Sequence, residues 1–343
     1  MISGGRGKLF AVCLAMLMVP GCGGEGSSTS TSTPTPTPSP SPSPTPSSSP
    51  TGTPAPGTSY PPGCVGADAV TAPGFPLALT GMRYAFTGTA PVFFDPQSSG
   101  VLRKQGDRYT FFAQDNLIDS KIDESTSFGS TEISSSLSTS EMIAYKRECS
   151  SPTIDPTQYS HTLLLSRPGS SNPLINLNYA GYGSFTYVRS NKTDADTDFR
   201  PFGYVLSNPA SGNTQSGTLI YRGRLIGDAK ETTLLATKHY SITGTVEVTV
   251  DFTAKTFTAT LDLTGQRDLN NGGGSFAFGQ ISYTQANADF TQLNGTRNRG
   301  KLFGMFAGPA AEEMALAANL TMPNPDDPNG GDVNIAIGGA AKR

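Results

Sequence analysis

Gly244-Thr245-Val246-Glu247-Val248-Thr249-Val250-Asp251-Phe252, a short Thr253-Ala254-Lys255 link, and Thr256-Phe257-Thr258-Ala259-Thr260-Leu261-Asp262-Leu263 decide the fold. Val246, Val248, Val250 and Phe252 alternate with Thr, Glu and Asp, and Phe257, Ala259, Leu261 and Leu263 do the same after the link. Alternation with a period of two puts one face in a core and the other in water, so the pair predicts an antiparallel hairpin. Further short strands are expected at Gly217–Ile226, Ser275–Tyr283, Lys301–Phe306, Ala315–Met322 and Asp332–Ile337. Between them stand Asn270-Asn271-Gly272-Gly273-Gly274, Asn294-Gly295 and the proline-rich 323–328, all chain breakers. Evenly spaced short strands predict a closed up-and-down barrel, an arrangement that leaves no exposed sheet edge. Gly223, Gly279 and Gly304 fall inside strands, where a small barrel needs its bends.

Working upstream, the pattern loosens. Arg108–Ala113, Met142–Arg147, Thr162–Ser166 and Gly183–Val188 each read as a strand, and the Ser/Thr-rich 125–140 reads as an exposed loop or a marginal helix. The chain is therefore all-β, in keeping with 39 Gly, 18 Phe and 12 Tyr and with only 15% charged residues.

The first 62 residues are an address and a spacer. Arg6 and Lys8 precede the apolar run Leu9 to Val19, which ends at Val19-Pro20-Gly21-Cys22. A charged start, a short apolar stretch and small residues at the cut read as a secretory signal, too short for a permanent span. With Gly23-Gly24 and a polar tract behind it, the segment resembles a bacterial lipoprotein signal. That resemblance implies residues 1–21 as signal peptide, Cys22 as the lipidated first mature residue, and sorting to the outer membrane, because no Asp follows the Cys. The mature protein then faces the surface or the periplasm. Residues 22–62 carry alternating Thr-Pro and Ser-Pro from Thr33 to Pro46 with nothing apolar to bury, so they predict a disordered, semi-rigid tether. At about 3.1 Å per residue it would reach on the order of 100 Å.

Of the four cysteines, Cys13 leaves with the signal and Cys22 takes the lipid, so Cys64 and Cys149 are expected to pair as a structural disulfide in an oxidising compartment. A redox pair would need the close spacing that these two lack. Net charge is −3 and the pI is near 5.5, with no basic run, which excludes nucleic acid as a partner. About 280 residues remain to fold, divided here as 63–211, a β-rich region, and 212–343, the barrel.

Several segments of this barrel region together resemble the barrel of transferrin-binding protein B and its lipoprotein relatives. These are Gly217-Thr218-Leu219-Ile220-Tyr221-Arg222-Gly223, the valine-rich hairpin, the run Gly304-Met305-Phe306-Ala307-Gly308-Pro309-Ala310-Ala311-Glu312-Glu313, and the glycine-rich, Lys-Arg ending 337–343. Residues 177–185 and 202–204 resemble the handle that feeds such a barrel. The resemblance implies one handle-plus-barrel lobe, eight strands in the barrel, and Gly304, Phe306, Gly308, Pro309, Glu312 and Glu313 as structural motif residues. Ala307 stands where that family usually has an aromatic, and Met314-Ala315-Leu316 where it has a Gly-Gly pair. Transferrin-contacting loops find no match, so transferrin itself does not carry over. Local propensity at Pro309 to Glu313 favours a helical turn, of which the barrel context is expected to leave at most one turn.

Chemistry is sparse. Asp194-Ala195-Asp196-Thr197-Asp198 has the spacing that opens a calcium loop, but Phe199 replaces the required Gly and Val205 the bidentate Glu, so a solvated polar loop is expected. The two His, at 161 and 239, offer the bases a hydrolase triad would need, yet no Gly-x-Ser-x-Gly elbow accompanies them. Gly272-Gly273-Gly274-Ser275 lacks the Lys of a phosphate cradle. No metal and no cofactor are expected. An eight-stranded barrel fills with its own side chains, so recognition is expected on loops and handle with Tyr, Phe and Arg as anchors. The sequence thus predicts a monomeric, non-enzymatic outer-membrane lipoprotein binding a protein or a metal- or haem-carrier ligand. The alternatives are an envelope lipoprotein without a ligand and, third, a glycan-active enzyme using paired carboxylates.

Overall fold

The computed structural model describes residues 74–85, 92–113, 125–150, 158–190, 195–206, 209–212, 215–231, 238–268, 272–286, 288, 290–327 and 331–343. Cys22, Cys64, the signal and the tether lie outside the described residues.

Eight antiparallel strands form the first sheet: β1 Gly74–Ala85, β2 Val92–Gln105, β3 Arg108–Ala113, β4 Ser125–Phe128, β5 Met142–Ser150, β6 Gln158–Ser166, β7 Ala180–Ser190 and β8 Ala195–Val205. Their order is β4-β3-β2-β1-β8-β7-β6-β5. The sheet curls until its two edges meet. Ile133 bridges Tyr145 across the gap, the Arg147 guanidinium donates to the Ser127 carbonyl at 3.0 Å, and the Phe128 and Tyr145 rings sit 6.2 Å apart. Inside the curl lie Leu77, Leu102, Phe111, Leu163, Phe185 and Phe202, with Phe111 stacked on Phe185 at 4.5 Å.

The second sheet is the closed barrel: β9 Thr218–Glu231, β10 His239–Asp251, β11 Thr256–Arg267, β12 Ser275–Ala286, β13 Leu293–Arg297, β14 Gly300–Ala307, β15 Glu313–Pro323 and β16 Asp332–Lys342, with β16 returning to β9. The hairpin registers as its alternation requires, Val246 opposite Leu261 and Val250 opposite Phe257, with all four buried. Asp251 accepts from the N–H of Thr253 and Ala254, and Lys255 closes the turn at φ +54°. Gly279 takes φ +75° where the β11–β12 register slips, a bulge at one of the glycines expected to serve bends. At the centre Leu225, Val246, Leu261, Leu302, Leu316 and Ile337 leave no room for a water molecule. One end is plugged by Tyr221, Phe252, Phe290 and Phe306, the Phe252 and Phe290 rings 4.7 Å apart. On β10 and β11 the polar Thr245, Glu247 and Asp262 face outward around this apolar interior, the inverse of a barrel bathed in lipid.

Several expected boundaries move. Asn294-Gly295 does not break the chain but lies within β13, because Gly295 gives the Phe257 ring room: a Cβ there would stand 3.0 Å from it. Residues 125–140 hold β4 and a single 3-10 turn at Ser130–Glu132. The segment expected as a solvated polar loop is strand: Asp196 to Asp198 belong to β8, with Asp198 buried. Pro201 sits in the same central strand, where the β1–β8 register is interrupted between Leu79–Phe202 and Met82–Phe199.

Handle and barrel share a third core, in which Ala78, Tyr182 and Val205 pack against Phe303, Met305, Ala315 and Ala340. Residues on the outer faces of β14 and β15 are buried here as well as those on the inner faces, so the barrel wall is covered on both sides.

Candidate functional site

The motif run lands on the joint between the two bodies. Gly304 lies in β14, Phe306 is in the aromatic plug, and Gly308 turns the chain at φ +86°. Residues 308–311 form one tight turn, with Ala311 at φ +53°, which leaves no helix after Pro309. Glu312 accepts from the Ala310 N–H at 3.0 Å. Glu313 is buried and reaches across to the chain entering β7: its two carboxylate oxygens accept from the N–H groups of Asn178, Tyr179 and Ala180, each at 2.8 Å. Three donors before a strand start are thereby satisfied by one charged acceptor, the strong class of hydrogen bond.

Other ties cross the joint. Lys301 pairs with Asp95, Asn319 donates to the Phe94 carbonyl at 3.2 Å, and Arg224 stands 3.6 Å from Glu141, which itself holds the Tyr182 hydroxyl. Burial, reinforced by Glu141, keeps that phenol well above its usual range.

Below these ties the joint opens into a cleft of about 620 Å³, within the size range of ligand sites. One wall is the β6–β7 connection, with Pro173, Leu174, Ile175 and Asn176; the other is the outer face of the barrel, with Ile220, Arg222, Arg224, Thr245 and Lys342, and Arg343 beside it. Strand alternation on β9 places Ile220, Arg222 and Arg224 outward together. Leu174 and Ile220 are 53% and 40% exposed, large apolar side chains left in water at the rim. The side chains lining it include four cations and no acid, although Glu247 and Glu141 stand behind Arg222 and Arg224.

At the opposite end of the barrel a titratable network joins the packing of Tyr240 against Phe276 and Phe278. His239 sits between Asp228, at 2.6 Å from Nε2, and Asp268, at 2.8 Å from Nδ1. Burial alone would lower its pKa, but the two carboxylates outweigh it and lift the imidazole to about 9. Lys230 is pushed the other way by burial, down to about 8, with Asp228 opposing. Inside the rim, the Tyr240 hydroxyl and the Arg267 guanidinium each donate to Asp326 at 2.8 Å. Each of the two carboxylates on His239 thus has an oxygen committed to a cation, an ion-pair clamp and not a poised acid and base.

His161 lies buried in the handle between the rings of Phe185 and Tyr187, 6.0 and 5.0 Å away. Asp198 and Arg200 form a buried bidentate pair at 2.9 and 2.8 Å, which explains why Asp198 does not serve a calcium loop. Cys149 occurs in β5 opposite Tyr159, while its expected partner Cys64 lies outside the described residues. Among the described residues no group of His, Cys, Asp and Glu is arranged to hold a metal ion.

No family profile matches the chain, and no curated protein matches it either. Solved structures do resemble it. The N-lobe domain of lactoferrin binding protein B of Moraxella bovis is 11% identical, with 77% of this chain and 98% of that one covered and a TM-score of 0.30. Transferrin binding protein B variants from Haemophilus parasuis Hp5 (11%, TM-score 0.26) and serogroup B Neisseria meningitidis (13%, TM-score 0.26) each cover 73% of this chain. This chain spans about half the length of those two, 52% and 51%.

The cleft was not foreseen. Arginine anchors were expected in general terms, but residues 172–176, 220–224 and 342–343 meet only through the fold. The outward run Ile220, Arg222, Arg224 was the one local signal.

Proposed function

We propose that this protein is a non-enzymatic lipoprotein, anchored in the outer membrane through a lipid on Cys22, that holds a protein or a metal- or haem-carrier ligand against its handle and barrel. The observation that carries this reading is the cleft at their joint, a concave surface with cations and two exposed apolar side chains, held open by a rigid, multiply bonded seam. The sequence resemblance to transferrin-binding protein B supports the same class of role, and the filled barrel interior leaves recognition to the outer surface. The Pro/Ser/Thr tether gives such a surface reach from the membrane.

The test is a deletion strain of the producing bacterium, complemented with the wild-type chain and grown on limiting iron or haem supplied as carrier protein. The expected outcome is impaired growth restored by the wild type. A defect confined to envelope integrity, with carrier-dependent growth intact, would sink the reading in favour of a purely structural lipoprotein.

A further inference from the structure

We propose that the cleft takes an acidic peptide segment of a partner protein, with carboxylates flanking a large apolar side chain; the proposal rests on the ligand-binding reading above. Three observations carry it. First, Lys342 of β16 and Arg222 of β9 are direct cross-strand partners on the outer face of the barrel. Like charges directly opposite destabilise a sheet; Glu247, directly opposite Arg222 on β10, balances Arg222 but not Lys342, whose bond goes to a backbone carbonyl. The contacts these cations make at home are weak: Arg222 meets Glu247 at 2.9 Å with the two side chains 70% and 49% exposed, and Lys342 donates to the Asn176 carbonyl at 3.0 Å. Exposed pairs of that kind contribute about 0–1 kcal/mol and exchange readily for a better acceptor.

Second, Arg222 and Arg224 project from one face two residues apart, a spacing that matches alternate side chains of an extended segment laid along the strand. Guanidinium groups so placed offer fork-shaped donors to carboxylates. Third, Leu174 and Ile220 rim the same cleft and stand exposed. A small inorganic anion would leave both in water, and the concave lining does not suit a flat lipid surface. An acidic segment bearing a Leu or Phe meets both features.

The experiment uses the purified full-length lipoprotein in neutral detergent and fluorescence anisotropy of a labelled peptide, Glu-Asp-Phe-Leu-Asp-Glu between Gly-Ser flanks. Two controls replace either its carboxylates by amides or its Phe-Leu by Ser-Ser. The acidic apolar peptide is expected to bind at least about tenfold more tightly than either control, and to weaken as salt rises from roughly 50 to 500 mM. Arg222→Gln with Lys342→Gln should cost about tenfold or more, with the melting temperature little changed, because the lost repulsion is offset by the lost Arg222–Glu247 pair. Arg222→Glu with Lys342→Glu should invert the preference toward a Lys-substituted peptide, a gain that misfolding cannot mimic.

Equal affinity for the amide control, binding untouched by the double Gln variant, or a Kd weaker than about 1 mM for every peptide would overturn the proposal. Retention on phosphatidylglycerol vesicles without peptide binding would overturn it also, in favour of a lipid surface. If capture of a carrier ligand survives both substitutions, the occupant named here is wrong while the ligand-binding reading stands.

Discussion

Gly203 of β8 lies against Gly339 of β16 so closely that a Cβ on Gly203 would stand 2.3 Å from the Gly339 carbonyl oxygen and 2.5 Å from the Leu316 nitrogen. The reciprocal approach is as tight, since a Cβ on Gly338 would meet the Phe202 nitrogen at 2.2 Å. Backbone meets backbone here, so no side chain can yield. Gly203→Ala is expected to destabilise by about 1–3 kcal/mol or more, as one cooperative transition, because the two sheets share a buried core. Urea denaturation followed by tyrosine fluorescence checks it, and a variant as stable as wild type would show that the two sheets can part there at no cost.

Glu313 should rank among the most sensitive positions. Glu313→Ala strands three backbone donors, a buried one at Ala180 and part-buried ones at Asn178 and Tyr179, and is expected to cost about 2–3 kcal/mol. Glu313→Gln retains one good acceptor and should cost less. Hydrogen exchange at 178–180 reports the site directly, and unchanged protection of those amides in the Ala variant would refute the assignment.

His239 makes stability depend on pH in a stated direction. Its folded pKa of about 9 exceeds the ordinary 6.5, so the contribution is full below about pH 6.5 and fades as pH climbs to 9. Over that window the wild type should lose up to about 3 kcal/mol relative to His239→Gln. Lys230, whose pKa is lowered to about 8, works in the opposite sense at higher pH and is present in both proteins. Urea midpoints at pH 6 and pH 9.5 supply the comparison; a difference that does not change with pH counts against the clamp.

Non-reducing mass spectrometry of the exported protein should recover a Cys64–Cys149 peptide pair. Cys149→Ala should then cost about 2–4 kcal/mol, chiefly through a freer unfolded chain. Two titratable thiols in the native protein would defeat the pairing.

Cys22→Ser should abolish incorporation of labelled fatty acid and release the protein from the membrane fraction, since the lipid supplies all of the membrane affinity in this reading. Label that persists in the Ser variant would place the lipid elsewhere.

What the sequence made legible was the part of the molecule with one wet face. β10 and β11 alternate because water lies on one side of them, and their register could be read residue by residue. β1 and β8 escaped notice because both of their faces are covered: Leu77, Ala78, Leu79 and Thr80 are buried in succession, so no period of two survives. The Asp pattern 194–198 then pointed to a loop where a central strand runs. Glu313 was read as an acid suited to a first helical turn, when its partners lie more than 130 residues earlier. The cleft was invisible for the same reason, since its two walls are far apart in sequence.

The order in which the chain emerges carries a consequence of its own. β16, the last strand, closes the barrel against β9 through pairs such as Val333–Glu231, and the same strand presents Gly338 to Phe202 of the handle. Neither body can be finished until β16 is available. A handle awaiting β14 to β16 exposes Ala78, Tyr182 and Val205, the surface they later cover. Long-range closure of this kind is slow, so the nascent protein passes through an interval with a sticky flank uncovered. A holding chaperone would have its greatest effect in that interval, before residue 342 arrives.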